Sequence, residues 1–242
     1  MNSWAITDKG ITRAQNQDAY YCYCDPEKKL ALNIVCDGMG GANAGNVASQ
    51  LATQLFVDEL NQSYSSLCTD IGDLLQNALR RVNRLVFEKS IESSELRGMG
   101  TTLVASVVVD NQVTVINVGD SRAYRISGST ITQITKDHSV VEELIDRGDI
   151  TREEAKRHPS RNLITRAVGT APIVESDIFR LAVQDGDAIL LCSDGLSNVV
   201  SDEEMLAVVH TEPSGEACCR KMVDLVLTRG APDNVTVALF RK

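Results

Sequence analysis

Five aspartates are the residues of this chain whose type and spacing are best suited to chemistry. Each lies at the end of an apolar, strand-like run or in the turn beside one. They are Asp18, Asp37, Asp120, Asp194 and Asp233. If these strand ends meet, the carboxylates converge, and their mutual repulsion requires bound cations. Because Asp is also a common turn residue, five unrelated turns are the alternative.

The available ligand types favour a hard cation. An apolar run over 30–36 stops at Asp37-Gly38-Met39-Gly40-Gly41, which presents a carboxylate and, at Gly38, an accessible backbone carbonyl. Mg²⁺ and Mn²⁺ prefer such oxygen ligands. The chain has only 3 histidines, and its 7 cysteines include no Cys-x-x-Cys pair. The pattern therefore predicts magnesium or manganese, not a structural zinc site.

Arg13 is the second candidate for chemistry. Its planar guanidinium matches a phosphate group bidentately. It precedes Asp18 by five positions on one polar connection, so that both side chains can face one pocket. An ordinary surface arginine is the alternative.

Other phosphate chemistries lack their motifs. A dinucleotide-binding fingerprint starting at Gly38 would need glycine where Asn43 stands, and no Gly-Lys-Ser/Thr occurs for a phosphate-binding P-loop. No cysteine has an arginine six positions further on, as a cysteine-dependent phosphatase requires. Three histidines are too few for a histidine-rich metallophosphoesterase centre.

Strands and helices alternate in blocks. Apolar patterns predict strands at 4–7, 20–24, 30–37, 102–109, 113–118, 123–126, 131–134, 173–181, 188–192 and 235–240. Helical spacing appears at 47–60, 71–86, 140–146, 152–157, 202–209 and 215–228. Strand blocks separated by helix pairs favour an α+β layered sandwich over a doubly wound parallel sheet. The more polar segment 137–168 has the character of an inserted flap.

Size and charge narrow the class of protein. The 242 residues contain no Pro/Gly/Ser-rich linker, which predicts one domain over 1–242. Acidic residues outnumber basic ones by 33 to 24, giving a net charge of −9 that argues against nonspecific binding to nucleic acid or an anionic membrane. No signal peptide and no apolar stretch of about 20 residues is present. A cytoplasmic location is therefore predicted.

Eight segments together resemble one known family. In order, these segments are Arg13 with Asn16-Gln17-Asp18, Asp37 to Gly41, Gly100-Thr101-Thr102, Gly119 to Arg122, Asp137-His138-Ser139, Leu163 to Gly169, Ser193 to Leu196, and Asp233 to Thr236. Their order and spacing resemble those of the bacterial PP2C-type (PPM) metal-dependent protein serine/threonine phosphatases over essentially the whole chain. One such motif would be weak evidence, whereas eight in sequence are specific.

The resemblance implies a fold and a set of ligands. The fold is a four-layer α-β-β-α sandwich of two mainly antiparallel sheets flanked by helix pairs, with a variable flap around 145–165. Asp37 would bridge two Mg²⁺ or Mn²⁺ ions, and the Gly38 carbonyl would bind one of them. Asp194 and Asp233 would hold the other ion. Asp18 would act mainly through a water molecule.

Further roles follow from the same resemblance. Asp120, together with Asp194, corresponds to a third metal position. Arg13 corresponds to the arginine that binds the substrate phosphate, and Asp37, Asp194 and Arg13 are the residues implied in catalysis. The implied reaction is hydrolysis of phosphoserine and phosphothreonine by direct attack of a hydroxide bridging two cations about 3.5–4 Å apart.

The implied partners are phosphorylated proteins and a bacterial serine/threonine kinase whose action the enzyme opposes, and the chain is expected to be a monomer. A catalytically weak adaptor that binds phosphoproteins through the same fold is the alternative. It is disfavoured because the implied ligands and Arg13 are all present.

Three positions depart from the pattern of relatives. Met39 stands where animal members have a histidine proposed to protonate the leaving alkoxide, so that role would fall to water at the metal site. Ala42 replaces a frequent histidine, and Asn46 a frequent acidic residue. Neither is a usual metal ligand, so activity is expected to survive with altered tuning.

Overall fold

The computed structural model describes residues 1–40, 44–63 and 70–242. Gly41, the last residue of the predicted motif, and Ala42, one of the departures from the pattern of relatives, lie outside these residues. Strands occupy β1 Asn2–Asp8, β2 Asp18–Asp25, β3 Leu30–Met39, β4 Gly100–Thr101, β5 Leu103–Val109, β6 Gln112–Val118, β7 Arg122–Ser127, β8 Thr130–Gln133, β9 Asp177–Ala182, β10 Ala188–Cys192 and β11 Val235–Arg241. Helices occupy α1 Ala44–Ser63, α2 Ile71–Glu92, α3 Val140–Asp146, α4 Arg152–Ala155, α5 Asp194–Ser197, α6 Asp202–Thr211 and α7 Gly215–Thr228.

The strands form two antiparallel sheets. One has the order β1-β11-β10-β7-β8, and the other has the order β2-β3-β5-β6-β9 with β4 paired to β3. Three apolar cores hold the layers together. One core lies between the two sheets, a second joins α1 and α2 to the β3 sheet, and a third joins α5, α6 and α7 to the β11 sheet. The predicted four-layer α-β-β-α sandwich is confirmed.

The alternation of apolar residues in β11 shows how the sequence builds these layers. Val237 and Leu239 pack toward the helices, whereas Ala238 and Phe240 fill the space between the sheets. All four side chains are fully buried. Successive strand residues point to opposite faces, so a strand covered on both sides reads as one continuous apolar run.

Several predicted boundaries were wrong. β3 continues through Asp37 and Gly38 to Met39 because β4 supplies partners for its last residues. The strand predicted at 173–181 begins only at Asp177, where pairing with β6 starts. The short helix α5 follows β10 directly and was not predicted. Among the described residues, no helix combines the length and the apolar character needed to cross a membrane.

Candidate metal centre

The first two candidate ligands face each other across neighbouring strands. Asp18 opens β2 and lies opposite Asp37 of β3 in the antiparallel register. The backbone around Asp37 is held by the β4–β5 segment. Thr102 accepts a hydrogen bond from the Asp37 amide at 2.9 Å, and Thr101 donates one to the Asp37 carbonyl at 2.9 Å. The carboxylate therefore projects from a fixed backbone.

Gly38 must be glycine because other backbone approaches it closely. A Cβ atom on Gly38 would collide with the carbonyls of Gly45 and Gln17. Gly45, near the start of α1, is in turn pressed against Gly38, where its own Cβ would lie 2.8 Å from the Gly38 carbonyl oxygen. The Gly38 amide donates to the Gln17 carbonyl at 3.1 Å. These contacts set the position of the carbonyl predicted to bind a metal.

Asn234 fastens the loop that carries Arg13. Its side-chain oxygen accepts from the Gln17 amide at 2.8 Å, and its amide group donates to the carbonyls of Lys9 at 2.7 Å and Gln15 at 2.9 Å. In the sequence, Asn234 is recognisable only as part of a motif, and nothing there indicates this role. At the tip of the loop, Arg13 donates to Asp233 at 2.7 Å. Arg13 and Asp233 therefore lie side by side although 220 positions separate them.

Asp37 is at the electrostatic centre of the cluster. Burial is the largest cause of a pKa well above the ordinary aspartate value, and the neighbouring negative charges raise it further. Those charges belong to Asp18, Asp194, Asp120 and Asp233, in decreasing order of effect. All five predicted aspartates thus interact at one end of the sandwich.

Burial is the main cause of the raised pKa at the neighbouring positions as well. The pKa of Asp18 rises to about 6, although hydroxyl groups from Thr236 and Ser193 counteract the effect. The pKa of Asp120 rises to about 7, with Asp194 as the next largest cause after burial. In the absence of bound metal, the carboxylate cluster therefore retains protons near neutral pH.

Asp194 and Arg13 complete the cluster. The pKa of Asp194 is raised by burial and by the charge of Asp233, and the neighbouring Asp37 side chain and the charge of Arg13 counteract this rise. The pKa of Arg13 is raised, chiefly by its hydrogen bond with Asp233, and the charges of Asp37 and Asp194 add to this effect.

The donor set fits a divalent cation, although the ligands do not form a finished shell. Among the described residues, no three carboxylate, imidazole or thiol side chains are already spaced as one metal-binding group. One contact contributes to this, because Asp233 is hydrogen-bonded to Arg13. Within the described residues, Oδ1 of Asp18 and Oδ1 of Asp194 are both buried and have no hydrogen-bond partner. Buried, unpartnered anionic oxygens are costly in a protein unless a cation binds them.

His138 supports the turn that carries Asp120. The Gly119 amide donates to Nδ1 of His138 at 3.0 Å, and the His138 amide donates back to the Gly119 carbonyl at 3.0 Å. Since Nδ1 accepts, the ring proton is on Nε2, which faces Asp177 at 3.3 Å. Burial lowers the pKa of His138 and keeps the ring neutral. Gly119 has a φ of +107°, which favours glycine at this turn.

The structure gathers all of the predicted site residues at one rim of the sandwich. The interactions described above involve every one of them: Asp18, Asp37, Gly38, Asp120, Asp194, Asp233 and Arg13. Their assignment as metal ligands, or as a phosphate anchor, stays a prediction. Asn46 is half-buried, and its side-chain oxygen has no partner among the described residues.

Comparison with known proteins assigns the family. A helix-flanked pair of antiparallel sheets is the fold of the solved PP2C-type phosphatases to which this chain is similar. Residues 11–223 match the family described as Protein phosphatase 2C. The chain belongs to the protein phosphatase 2C family, as its sequence motifs indicated.

Three relatives illustrate the similarity. The serine/threonine phosphatase stp of Listeria innocua serovar 6a is 37% identical over 237 residues, which are 98% of this chain and 94% of that protein. The crystal structure of the Mycobacterium tuberculosis serine/threonine phosphatase PstP/Ppp superposes with a TM-score of 0.86 at 37% identity, covering 98% of this chain and 97% of that one. The PstP catalytic domain in complex with two manganese ions gives a TM-score of 0.85 at 36% identity, covering 98% and 96%.

Proposed function

We propose that this chain is a protein serine/threonine phosphatase that depends on Mn²⁺ or Mg²⁺. The observation that carries the proposal is the convergence of five aspartates and Arg13 at one rim of the fold. Relatives that are 37% identical over nearly the whole chain are named serine/threonine phosphatases, and one solved relative holds two manganese ions. Phosphorylated proteins are therefore its substrates.

The aspartates and the Gly38 carbonyl would hold the cations. Asp37 would be a ligand of both ions and Gly38 of one of them. Asp194 and Asp233 would hold the other ion, and Asp18 would support the pair. When bound, two such cations acidify water and neutralise phosphate charge. Asp120 lies beside Asp194 and would, with it, hold a third ion.

Arg13 is assigned to the substrate phosphate. Its side chain is 51% exposed, is held at the rim by Asp233, and carries a positive charge among carboxylates that would otherwise repel a phosphate dianion. A guanidinium can bind two phosphate oxygens at once and stabilise the charge that they carry during transfer. The residue therefore binds, orients and neutralises the reacting group.

Replacing Arg13 by alanine is expected to raise KM for a phosphopeptide by about 10-fold or more. The lysine variant should keep part of the affinity, because it keeps the charge and loses the bidentate geometry. Arg180→Ala is a matched control, since Arg180 is 55% exposed and is also paired with an aspartate, Asp70. Steady-state kinetics decide the matter, and an equal rise in KM for both alanine variants would contradict the assignment.

The function is tested with a phosphothreonine peptide and a phosphoserine peptide. We expect release of inorganic phosphate in the presence of Mn²⁺. Binding of the peptides without phosphate release would instead favour the adaptor alternative. Burst kinetics should be absent, because no covalent phosphoenzyme is required when water attacks directly.

The remaining assignments extend this proposal. We infer a single phosphatase domain over 1–242, in which the segment around 145–165 is a flap near the substrate. A bridge between Thr101 and Val168 joins the chain just after this segment to β4. We further propose that the protein is a cytoplasmic monomer that opposes a serine/threonine kinase. The six cysteines among the described residues are free thiols, which suits a reducing compartment.

A further inference from the structure

The Asp18 carboxylate is held by two hydroxyl groups from the opposite sheet. Ser193 donates to Oδ2 of Asp18 at 2.8 Å, and Thr236 donates to the same oxygen at 2.6 Å. Asp18 and both donors are buried, with Asp18 only 6% exposed. Oδ1 of Asp18 has no hydrogen-bond partner in the part of the chain that the structure describes. One oxygen is thus saturated and the other is left available.

The donors have a fixed direction because each hydroxyl carries one proton. Thr236 gives its proton to Asp18, so in the 2.7 Å contact between the two threonines Thr7 must be the donor. Thr7 in turn accepts from the side-chain amide of Asn16 at 2.9 Å. The orientation of that amide is set by its oxygen, which accepts from the Asp18 backbone amide at 3.1 Å. The bonds therefore form a closed ring from Asp18 through Asn16, Thr7 and Thr236 back to Asp18.

Backbone pairing holds the ring in place. Thr7 and Thr236 are opposite each other in the β1–β11 register. The Thr236 amide donates to the Ser193 hydroxyl at 3.0 Å, and the Ser193 amide donates to the Thr236 carbonyl at 3.1 Å. Since the Ser193 oxygen already accepts, its own proton is directed to Asp18. The ring joins β1, β11 and the end of β10 in one sheet to β2 in the other.

We propose that Thr236, Ser193 and Thr7 are positioning residues that fix Asp18 as an acceptor and leave Oδ1 as the oxygen available to a divalent cation or its water. The proposal rests on the proposed metal-dependent function. Two O–H donors on one oxygen require an unprotonated acceptor at that oxygen, and they also stop the carboxylate from rotating. Partners that orient a metal ligand in this way typically change metal affinity by about 10- to 100-fold when removed.

The test measures Mn²⁺ binding to the metal-free protein by titration calorimetry, together with thermal stability and kcat at saturating Mn²⁺. Thr236→Val keeps the shape of the side chain and removes the hydroxyl. It should weaken Mn²⁺ binding by about 10- to 100-fold. Thr236→Ser restores the hydroxyl and should recover the affinity to within about threefold. Thr7→Val, one bond further away, should have a smaller effect than Thr236→Val.

Two further variants separate positioning from stability. Thr114→Val removes a hydroxyl from another buried threonine, on β6, and should leave Mn²⁺ affinity unchanged. In an Asp18→Asn background, Thr236→Val should weaken Mn²⁺ binding no further, because the hydroxyl acts through the carboxylate. If Thr236→Val does not fold, Ser193→Ala removes the other donor and should likewise weaken Mn²⁺ binding by about 10-fold.

The proposal is overturned if Thr236→Val, or Ser193→Ala in its place, lowers the melting temperature while Mn²⁺ affinity stays that of the unsubstituted protein. Failure of the proposed function gives a different pattern. In that case the unsubstituted protein binds Mn²⁺ and fails to release phosphate from either peptide, and the dependence of Mn²⁺ affinity on Thr236 still supports the positioning role.

Discussion

Asp37→Asn is expected to lower the rate of p-nitrophenyl phosphate hydrolysis with Mn²⁺ by about 10³-fold or more, because the variant loses a shared metal ligand and its charge. The charges of the four other aspartates all act on Asp37, and its backbone amide and carbonyl are held by Thr102 and Thr101. A neutral amide is a poorer ligand for Mg²⁺ or Mn²⁺ than the four carboxylates that remain. Because the backbone at this position is fixed, another group cannot easily move in to replace the lost carboxylate.

The same substitution should not destabilise the metal-free protein. Removing one of five mutually repelling carboxylates relieves the repulsion that raises the pKa of Asp37, so the melting temperature is expected to stay equal or to rise. Asp185→Asn is the control, since the Asp185 side chain is 98% exposed and lies outside the cluster. Undiminished hydrolysis by Asp37→Asn would remove the metal-centre interpretation, and a large fall in its melting temperature would show that the lost rate reflects misfolding.

The sequence was sufficient to predict the acidic rim. Strand ends rich in aspartate and glycine could be read directly, because apolar runs stop where the chain reaches solvent. The carboxylates of Asp18 and Asp37 meet because two hairpin-connected strands place them opposite each other. That register follows from the pattern of two neighbouring strands joined by a turn. The prediction of one shared cation site likewise follows from aspartates placed at strand ends.

The contacts that hold the site could not be predicted in this way. Thr7 and Thr236 are 229 positions apart, and Thr236 reaches Asp18 across 218 positions. Their meeting depends on the register between β1 and β11 and on how the two sheets stack. A single sequence specifies neither, and a buried threonine in a strand has the same pattern whether or not it supports a carboxylate.

The wrong boundaries have a similar origin. The three glycines within the four positions after Asp37 suggested that β3 ended there, since glycine weakens strand pairing. In the folded chain Gly38 and Met39 pair with Thr101 and Gly100 of β4, a two-residue strand too short to have a sequence pattern of its own. Tertiary pairing thus extends β3 beyond Asp37 through Gly38, whose carbonyl is predicted to bind a metal, to Met39.

Chelation of divalent metal should abolish hydrolysis and also reverse the pH dependence of stability. In the metal-free protein the pKa values of Asp18 and Asp120 rise to about 6 and about 7. A group whose pKa is raised by folding stabilises the fold fully below its unfolded value, and this contribution is lost as pH rises through the folded value. The metal-free protein should therefore melt at a lower temperature at about pH 8 than at about pH 5.

Bound Mn²⁺ is expected to reverse this trend. Cations bind deprotonated carboxylates, so the gain in melting temperature on adding Mn²⁺ should grow as pH rises through the window between about 4 and about 7 in which the cluster loses its protons. At 100 times the dissociation constant the gain is about 2.7 kcal/mol. For a chain of 242 residues this raises the melting temperature by about 5–10 °C.

His138 opposes the metal-free trend, because burial lowers its pKa and it therefore favours the fold at high pH. Thermal scans at several pH values, with EDTA and with Mn²⁺, measure both slopes. A metal-free protein that gains stability steadily from about pH 5 to about pH 8 would show that the carboxylates do not share one buried cluster.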